Sequence, residues 1–126
     1  MTRSPFRIPV IVAFCGALAL TMVGYAGAAD PDQVARFKAT HQCPGCDLSG
    51  ANLGGIQAPQ ARLLNANLRN AYLYGGNLRG AELTGAMLDD ANLEMVDLTG
   101  AIGAVLGGAK TDTRTTCPNG HAGPCN

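Results

Sequence analysis

The chain has 126 residues, with nine basic and nine acidic side chains and no formal net charge at pH 7. This balance excludes the strongly basic surface of a typical nucleic-acid-binding domain and the acidic composition of a polyanion. With 47% hydrophobic residues, the chain has the length and composition of one small domain preceded by a leader.

The N-terminal segment has the layout of a secretory signal peptide. Arg3 and Arg7 precede an uncharged run over residues 8–29, which ends in small residues before the first acid, Asp30. This order predicts a signal peptide over residues 1–29 and a bacterial periplasmic or secreted mature chain. A retained membrane anchor is the open alternative, because the uncharged run is long enough to span a bilayer.

Residues 30–45 predict a short helix and an N-terminal cap. Pro31 suits the first turn of a helix, and the aspartate on either side of it can serve as the N-cap. Val34, Phe37 and His41 then share one helical face. We expect the apolar part of this face to cover the start of the domain core.

A leucine recurs every five residues from Leu48 to Leu98, with Ala58 as the single exception. Five residues advance a side chain by about 500° around an α-helix, so these leucines cannot form one helical stripe. In a flat strand the odd spacing would send successive leucines to opposite faces. A backbone that turns one corner per repeat directs all of them to a common axis, which predicts a solenoid. The expected corners hold residues that favour turns: Gly50, Gly55, Asn65, Asn70, Gly75, Gly80, Gly85 and Gly100.

The repeated segments resemble a known family. Residues 47–53 and 66–71, which read DLSGANL and ANLRNA, are similar to the A(D/N)LXX units of the pentapeptide-repeat family. The resemblance implies an all-β fold, a right-handed quadrilateral β-helix with four pentapeptides per coil and with leucine and alanine inside. Residues 46–111 would form about three such coils.

The repeat loses its register near the C-terminus. Alanines fall at Ala101, Ala104 and Ala109, so the last coil must deform. Residues 112–126 are polar and contain two prolines. They predict an irregular C-terminal cap over the open end.

Four cysteines of the predicted mature chain flank the repeats: Cys43, Cys46, Cys117 and Cys125. In an oxidising compartment they predict two disulfides, for which three pairings exist. The two ends of the array lie about 15 Å apart, beyond the reach of about 7 Å of a disulfide. This favours Cys43 with Cys46 and Cys117 with Cys125, unless the C-terminal tail folds back along the coils. A redox-active CxxC pair and a zinc site that includes His121 stay open as alternatives, although we predict no metal.

One outward aromatic cluster is predicted on the repeats. With four pentapeptides per coil, Tyr72 and Tyr74 share a face with Asn52, Asn92 and Glu94. We take Tyr72, Tyr74 and Glu94 as the candidate contact patch.

The same stacking predicts ion pairs between coils, such as Arg62 on Glu82 and Arg69 on Asp89. Several acids also crowd one end of the array and leave a calcium site as an open alternative: Asp89, Asp90, Glu94 and Asp97.

Catalytic constellations are missing from the predicted mature chain. Ser49 is its only serine, and His41 and His121 lie outside the repeats, so no nucleophile has a base and an orienting group beside it.

We predict a noncatalytic exported scaffold that binds a protein or an envelope component through a flat solenoid face. No cofactor, no nucleic acid and no membrane contact after signal cleavage are expected.

Two other functions stay open. Some members of the pentapeptide-repeat family are thought to mimic DNA and guard a topoisomerase. Such a surface should be strongly acidic, whereas the predicted mature chain has a net charge of only −2. The second is a thiol-disulfide protein that acts through Cys43 and Cys46.

Overall fold

A computed structural model describes residues 28–125. The predicted signal peptide lies outside these residues, except for its last two positions. Within this range the only helix is α1, Pro31–Thr40, and the β contacts are single-residue bridges. No helix between residues 28 and 125 has the length and apolar character needed to cross a membrane.

The length of each coil follows from the parallel bridges between coils. Gln42 pairs with Arg62 and Arg62 pairs with Glu82, so that one coil takes four pentapeptides. The first coil therefore already includes Gln42, within residues 30–45, which the sequence predicts as helix and cap. One bridge column runs along each of the four faces, in the order 42/62/82/102, 47/67/87, 52/72/92/110 and 57/77/97/116.

Leucine and alanine fill the interior, as the five-residue period predicts. Leu73 and Leu83 are 0% exposed, and the alanines that stand two positions before most of the repeat leucines line the same core. Ile56 takes the place of one alanine, and Gly76 stacks on it. A Cβ added at Gly76 would lie 3.3 Å from Cγ2 of Ile56, so the glycine leaves the space that the larger side chain needs.

The corners are made by residues with left-handed backbone. Each pentapeptide corner from residue 45 to residue 100 has a positive φ, including the predicted asparagines Asn65 and Asn70. Gln60 and Met95 adopt the same conformation, with φ of 61° for both, although their side chains do not favour it. The corner amide usually donates to a carbonyl of the next coil, as from Gly75 to Glu94 at 3.0 Å.

Helix α1 closes the N-terminal end of the barrel. The Asp30 carboxylate caps it by accepting from the Asp32 amide at 2.9 Å, and Pro31 occupies its first turn. Phe37 is 0% exposed in the core. His41 has a φ of 60° and ends the helix. Its ring still lies edge-on beside that of Phe37, with centroids 6.3 Å apart, as the shared face predicts.

Two cysteine pairs lie at disulfide distance, and three of the four cysteines occupy repeat positions. Cys43 stands in a leucine column and Cys46 in an alanine column, 0% and 2% exposed, with Cα atoms 5.4 Å apart. Cys117 continues the column of Leu98, and its Cα lies 5.6 Å from that of Cys125. These are the pairs that the distance argument favoured.

The last coil is shorter than the others. Asn92 bridges to Lys110, which falls short of the four pentapeptides that make up the earlier coils. The corner amide of Met95 consequently has a side-chain acceptor, the Asp112 carboxylate at 3.1 Å, in the place of a backbone carbonyl. The Thr115 hydroxyl donates to the same carboxylate at 2.9 Å. Asp112 therefore completes the ladder where the coil has been shortened.

This role predicts an acid-sensitive C-terminal coil. Partial desolvation pulls the pKa of Asp112 upward, but hydrogen bonds from Met95, Thr115 and Arg114 outweigh it and hold the pKa at about 2, below the ordinary 3.8. Because the folded protein lowers the pKa of this carboxyl, the carboxylate stabilises the fold fully at pH values above its ordinary pKa of 3.8. This stabilisation is lost as the pH falls through the lowered pKa of about 2.

We expect Asp112→Asn to lower the urea midpoint at pH 5 and the two proteins to converge near pH 2. Urea unfolding of both proteins at several pH values measures this difference. A difference that is the same at every pH would contradict the assigned role.

Candidate contact surface

The face that carries the bridge column 52/72/92/110 holds the predicted contact patch. We call it the tyrosine face and define it by these outward residues: Asn52, Gly54, Tyr72, Tyr74, Asn92, Glu94 and Lys110. The rings of Tyr72 and Tyr74 are stacked, with centroids 6.1 Å apart and planes 10° apart. Tyr72 is 45% exposed. All three patch residues predicted from the sequence thus lie on one face.

Gly54 has no side chain and so leaves the space that the Tyr72 ring occupies. A Cβ at this position would lie 2.8 Å from Cε1 of Tyr72, closer than real Cβ contacts allow. The Asn52 side chain accepts from the Gly54 amide at 3.2 Å and shapes the same turn. The ring of one coil therefore lies against the backbone of the previous one. Sequence reasoning missed this contact, although Gly54, the additional glycine of the Gly54–Gly55 turn, was its signal.

Polar contacts hold the far side of the tyrosine face. The Asn92 side chain donates to the Glu94 carboxylate at 3.2 Å, and the Glu94 amide donates back to Asn92 at 2.9 Å. Beside Tyr74, the Arg114 guanidinium donates to Asp112 at 2.9 Å. The hydrogen bond and charge of Asp112, with a smaller contribution from Tyr74, raise the pKa of Arg114. The Tyr74 ring is thus flanked by groups that already have partners.

A shallow cavity of about 430 Å³ lies between the cap and the first coils. We call it the cap cavity. Lys38 and His41 line it from the cap side, and Asn52, Gly54, Ile56 and Gln57 line it from the barrel. Because Asn52 and Gly54 also belong to the tyrosine face, the cavity and the tyrosine stack form one continuous surface.

The other three faces carry ion pairs between coils. Arg62–Glu82 and Arg69–Asp89 lie at 3.5 and 2.9 Å, which confirms the predicted stacking, and Arg79–Asp97 lies at 3.0 Å. These partners are largely exposed, so each pair contributes only about 0.2–1 kcal/mol. The tyrosine face differs from the other three faces: its outward positions hold stacked aromatic rings, whereas theirs hold ion pairs between coils.

The alternative chemistries gain little from the geometry. Between residues 28 and 125, no three histidine, cysteine or acidic side chains come close enough together to hold a metal ion. Arg36 donates to Sγ of Cys46 at 3.1 Å, a contact that would favour a thiolate. Both sulfurs of this pair are buried beneath the cap, however, so exchange with another thiol would require the cap to open.

Comparison with known proteins agrees with this architecture. The family model for pentapeptide repeats matches residues 46–85 and 66–102, with eight copies. Among solved structures, alr5209, a pentapeptide-repeat protein from Nostoc PCC 7120, is 29% identical with a TM-score of 0.52, over 75% of this chain and 84% of that chain. No curated protein matches the chain.

Two further solved structures are similar at lower TM-scores. HetL, a pentapeptide-repeat protein involved in heterocyst differentiation regulation in the same cyanobacterium, is 29% identical over 64% of this chain and 42% of that chain, with a TM-score of 0.36. A pentapeptide-repeat protein from the Arabidopsis thaliana thylakoid lumen is 25% identical over 74% and 71%, with a TM-score of 0.28.

The regular bridge spacing of four pentapeptides and the buried leucine columns define a β-helical solenoid. The family match and the similar structure of alr5209 identify its repeats. This chain belongs to the pentapeptide-repeat family, and its fold is the right-handed β-helix of that family.

Proposed function

We propose that this protein is a noncatalytic exported scaffold that binds a protein or an envelope component through the tyrosine face. The observation that carries the proposal is the stack of exposed Tyr72 on half-buried Tyr74, on a surface whose other faces carry ion pairs. Tyrosine supplies a large and rigid contact area and is enriched at binding hot spots. The family supports the noncatalytic part, since its members are generally scaffolds.

The finer description of the barrel belongs to the same proposal. We take it as quadrilateral and about three coils tall, because each bridge column links three or four residues. The acids are distributed around it and four are paired with arginines, which does not suit the long acidic surface of a DNA mimic.

Export is proposed from the layout of the N-terminal residues alone. Fractionation of the native host followed by N-terminal sequencing tests it. We expect the mature chain in the periplasmic or secreted fraction, with its first residue near Asp30. An uncleaved chain in the membrane fraction would contradict export as a soluble protein.

Removal of both tyrosines is expected to reduce partner capture strongly. In vivo crosslinking in the native host, followed by mass spectrometry, compares the wild type with Tyr72→Ala/Tyr74→Ala, and we expect about tenfold less captured partner because the aromatic anchors are gone. The matched control is Arg62→Ala/Leu64→Ala, which changes the same two repeat positions on another face of the same coil. Unchanged capture by the double tyrosine variant would refute the tyrosine face as the contact surface.

A further inference from the structure

We infer that the tyrosine face and the cap cavity together bind an acidic glycan strand that runs along the barrel axis. This inference rests on the proposed function and narrows its partner to one ligand class. It follows from the length of the surface, from the position of its cations and from the polar groups around the rings.

The surface is long enough for several sugar units. The column from Asn52 through Tyr72 and Asn92 to Lys110 has three bridged steps. At about 4.8 Å per step the column is about 14 Å long, and the cap cavity extends it at the Asn52 end. The cavity is shallow and continuous with a flat face, which suits an extended chain better than a compact small molecule.

Two lysines bracket the tyrosine stack, and within residues 28–125 neither has a carboxylate at ion-pair distance. Lys38 lines the cap cavity, and Lys110 stands at the other end of the bridge column. In every ion pair among residues 28–125, the cation is an arginine and not a lysine. On the tyrosine face itself, Glu94 is hydrogen-bonded to Asn92. Both ammonium groups can therefore meet acidic groups of a ligand.

The density of cations favours a glycan over a nucleic acid. A nucleic-acid strand carries one charge per about 3.4 Å, which gives about four phosphates along this surface, whereas the surface offers the two lysines. Carboxylate-bearing sugars alternate charge with neutral hydroxyls. The amides of Asn52 and Gln57 can donate to and accept from such hydroxyls. The Tyr72 side chain, 45% exposed, offers apolar aromatic surface to a sugar ring.

Titration calorimetry on the full mature chain tests this inference with oligogalacturonate as the acidic glycan probe. Maltohexaose serves as the neutral glycan, and polyglutamate and oligo(dT) of similar length serve as the acidic peptide and the nucleic acid. We expect oligogalacturonate to bind about tenfold more tightly than each of the other probes. Added salt should weaken this binding, because charge pairs contribute to it.

The variants locate the site. We expect Tyr72→Ala and the pair Lys38→Gln/Lys110→Gln each to weaken oligogalacturonate binding by about tenfold, while Lys38→Arg/Lys110→Arg restores it. Arg62→Gln, which removes one cation from another face of the same coil, should leave affinity unchanged. Thermal melting of each variant separates lost binding from lost folding.

Three results would overturn the inference: no binding of oligogalacturonate, equal binding of maltohexaose, or tighter binding of polyglutamate or oligo(dT). These failures are distinguishable from failure of the proposed function. If crosslinking in the host still depends on Tyr72 and Tyr74 while oligogalacturonate does not bind, the contact surface stands and the glycan assignment is wrong.

Discussion

Leu73→Lys is expected to leave no folded protein. Leu73 is 0% exposed in the centre of the barrel. Loss of a buried leucine side chain costs about 2–5 kcal/mol, and an unpaired ammonium in an apolar interior adds several more. The sum reaches the whole free energy of unfolding of a small domain, about 5–15 kcal/mol. Circular dichroism of the purified mature chain should show neither the wild-type spectrum nor a cooperative melt.

The neighbouring residue provides the control. Tyr72→Lys places the same side chain one position earlier, where it points outward, and should change the free energy of unfolding by no more than about 0.5–1 kcal/mol. Leu73→Met keeps the volume and should cost less than about 1.5 kcal/mol. If Leu73→Lys melted like Tyr72→Lys, the leucines would not converge on a dry axis.

Phe37→Ala is expected to destabilise the protein by about 3–5 kcal/mol. Phe37 is the fully buried aromatic residue of α1 and packs on the core that begins with Cys43 and Leu48. Its truncation leaves a cavity at the point where the cap meets the barrel, so the first coil loses its cover. Urea unfolding measures the loss, and amide exchange should accelerate in α1 more than at Leu83 in the middle of the barrel.

Lys38→Ala is the matched control for the cap, because Lys38 is exposed on the same helix. We expect its midpoint to stay close to that of the wild type. Equal midpoints for Phe37→Ala and Lys38→Ala would mean that α1 does not seal the barrel.

The interior could be predicted from the sequence because its period is unusual. A five-residue leucine spacing is incompatible with one helical stripe or one strand face, so few backbones can bury Leu63, Leu73 and Leu83 together. The corner glycines follow from the same period. With the coil of four pentapeptides that the family resemblance implies, the sequence also predicts Tyr72, Tyr74 and Glu94 on one face, and the bridge spacing agrees.

The remaining features depend on contacts between distant parts of the chain. Gln60 and Met95 adopt left-handed corners because the coils above and below hold the register, not because their side chains favour it. The Arg79–Asp97 pair joins two side chains that are closer in sequence than one full coil, so a rule based on whole coils does not find it. The acceptor role of Asp112 arises only where the last coil is short.

The candidate site was predicted in part for the same reason. Periodicity placed Tyr72 and Tyr74 together, but the stacking of their rings depends on side-chain torsions that no period specifies. The cap cavity depends on how α1 docks, which brings Lys38 beside Gln57. A pattern of outward residues cannot reveal a hollow formed between two elements.

The cysteine positions have a consequence for how the protein matures. Cys43, Cys46 and Cys117 stand in repeat columns, where a reduced thiol acts as a small apolar side chain. The coils can therefore fold before the disulfides form, and folding brings the sulfurs of each pair together. If folding comes first, the central coils stay folded in a reducing environment, and only the two ends, which lose their disulfides, become less ordered.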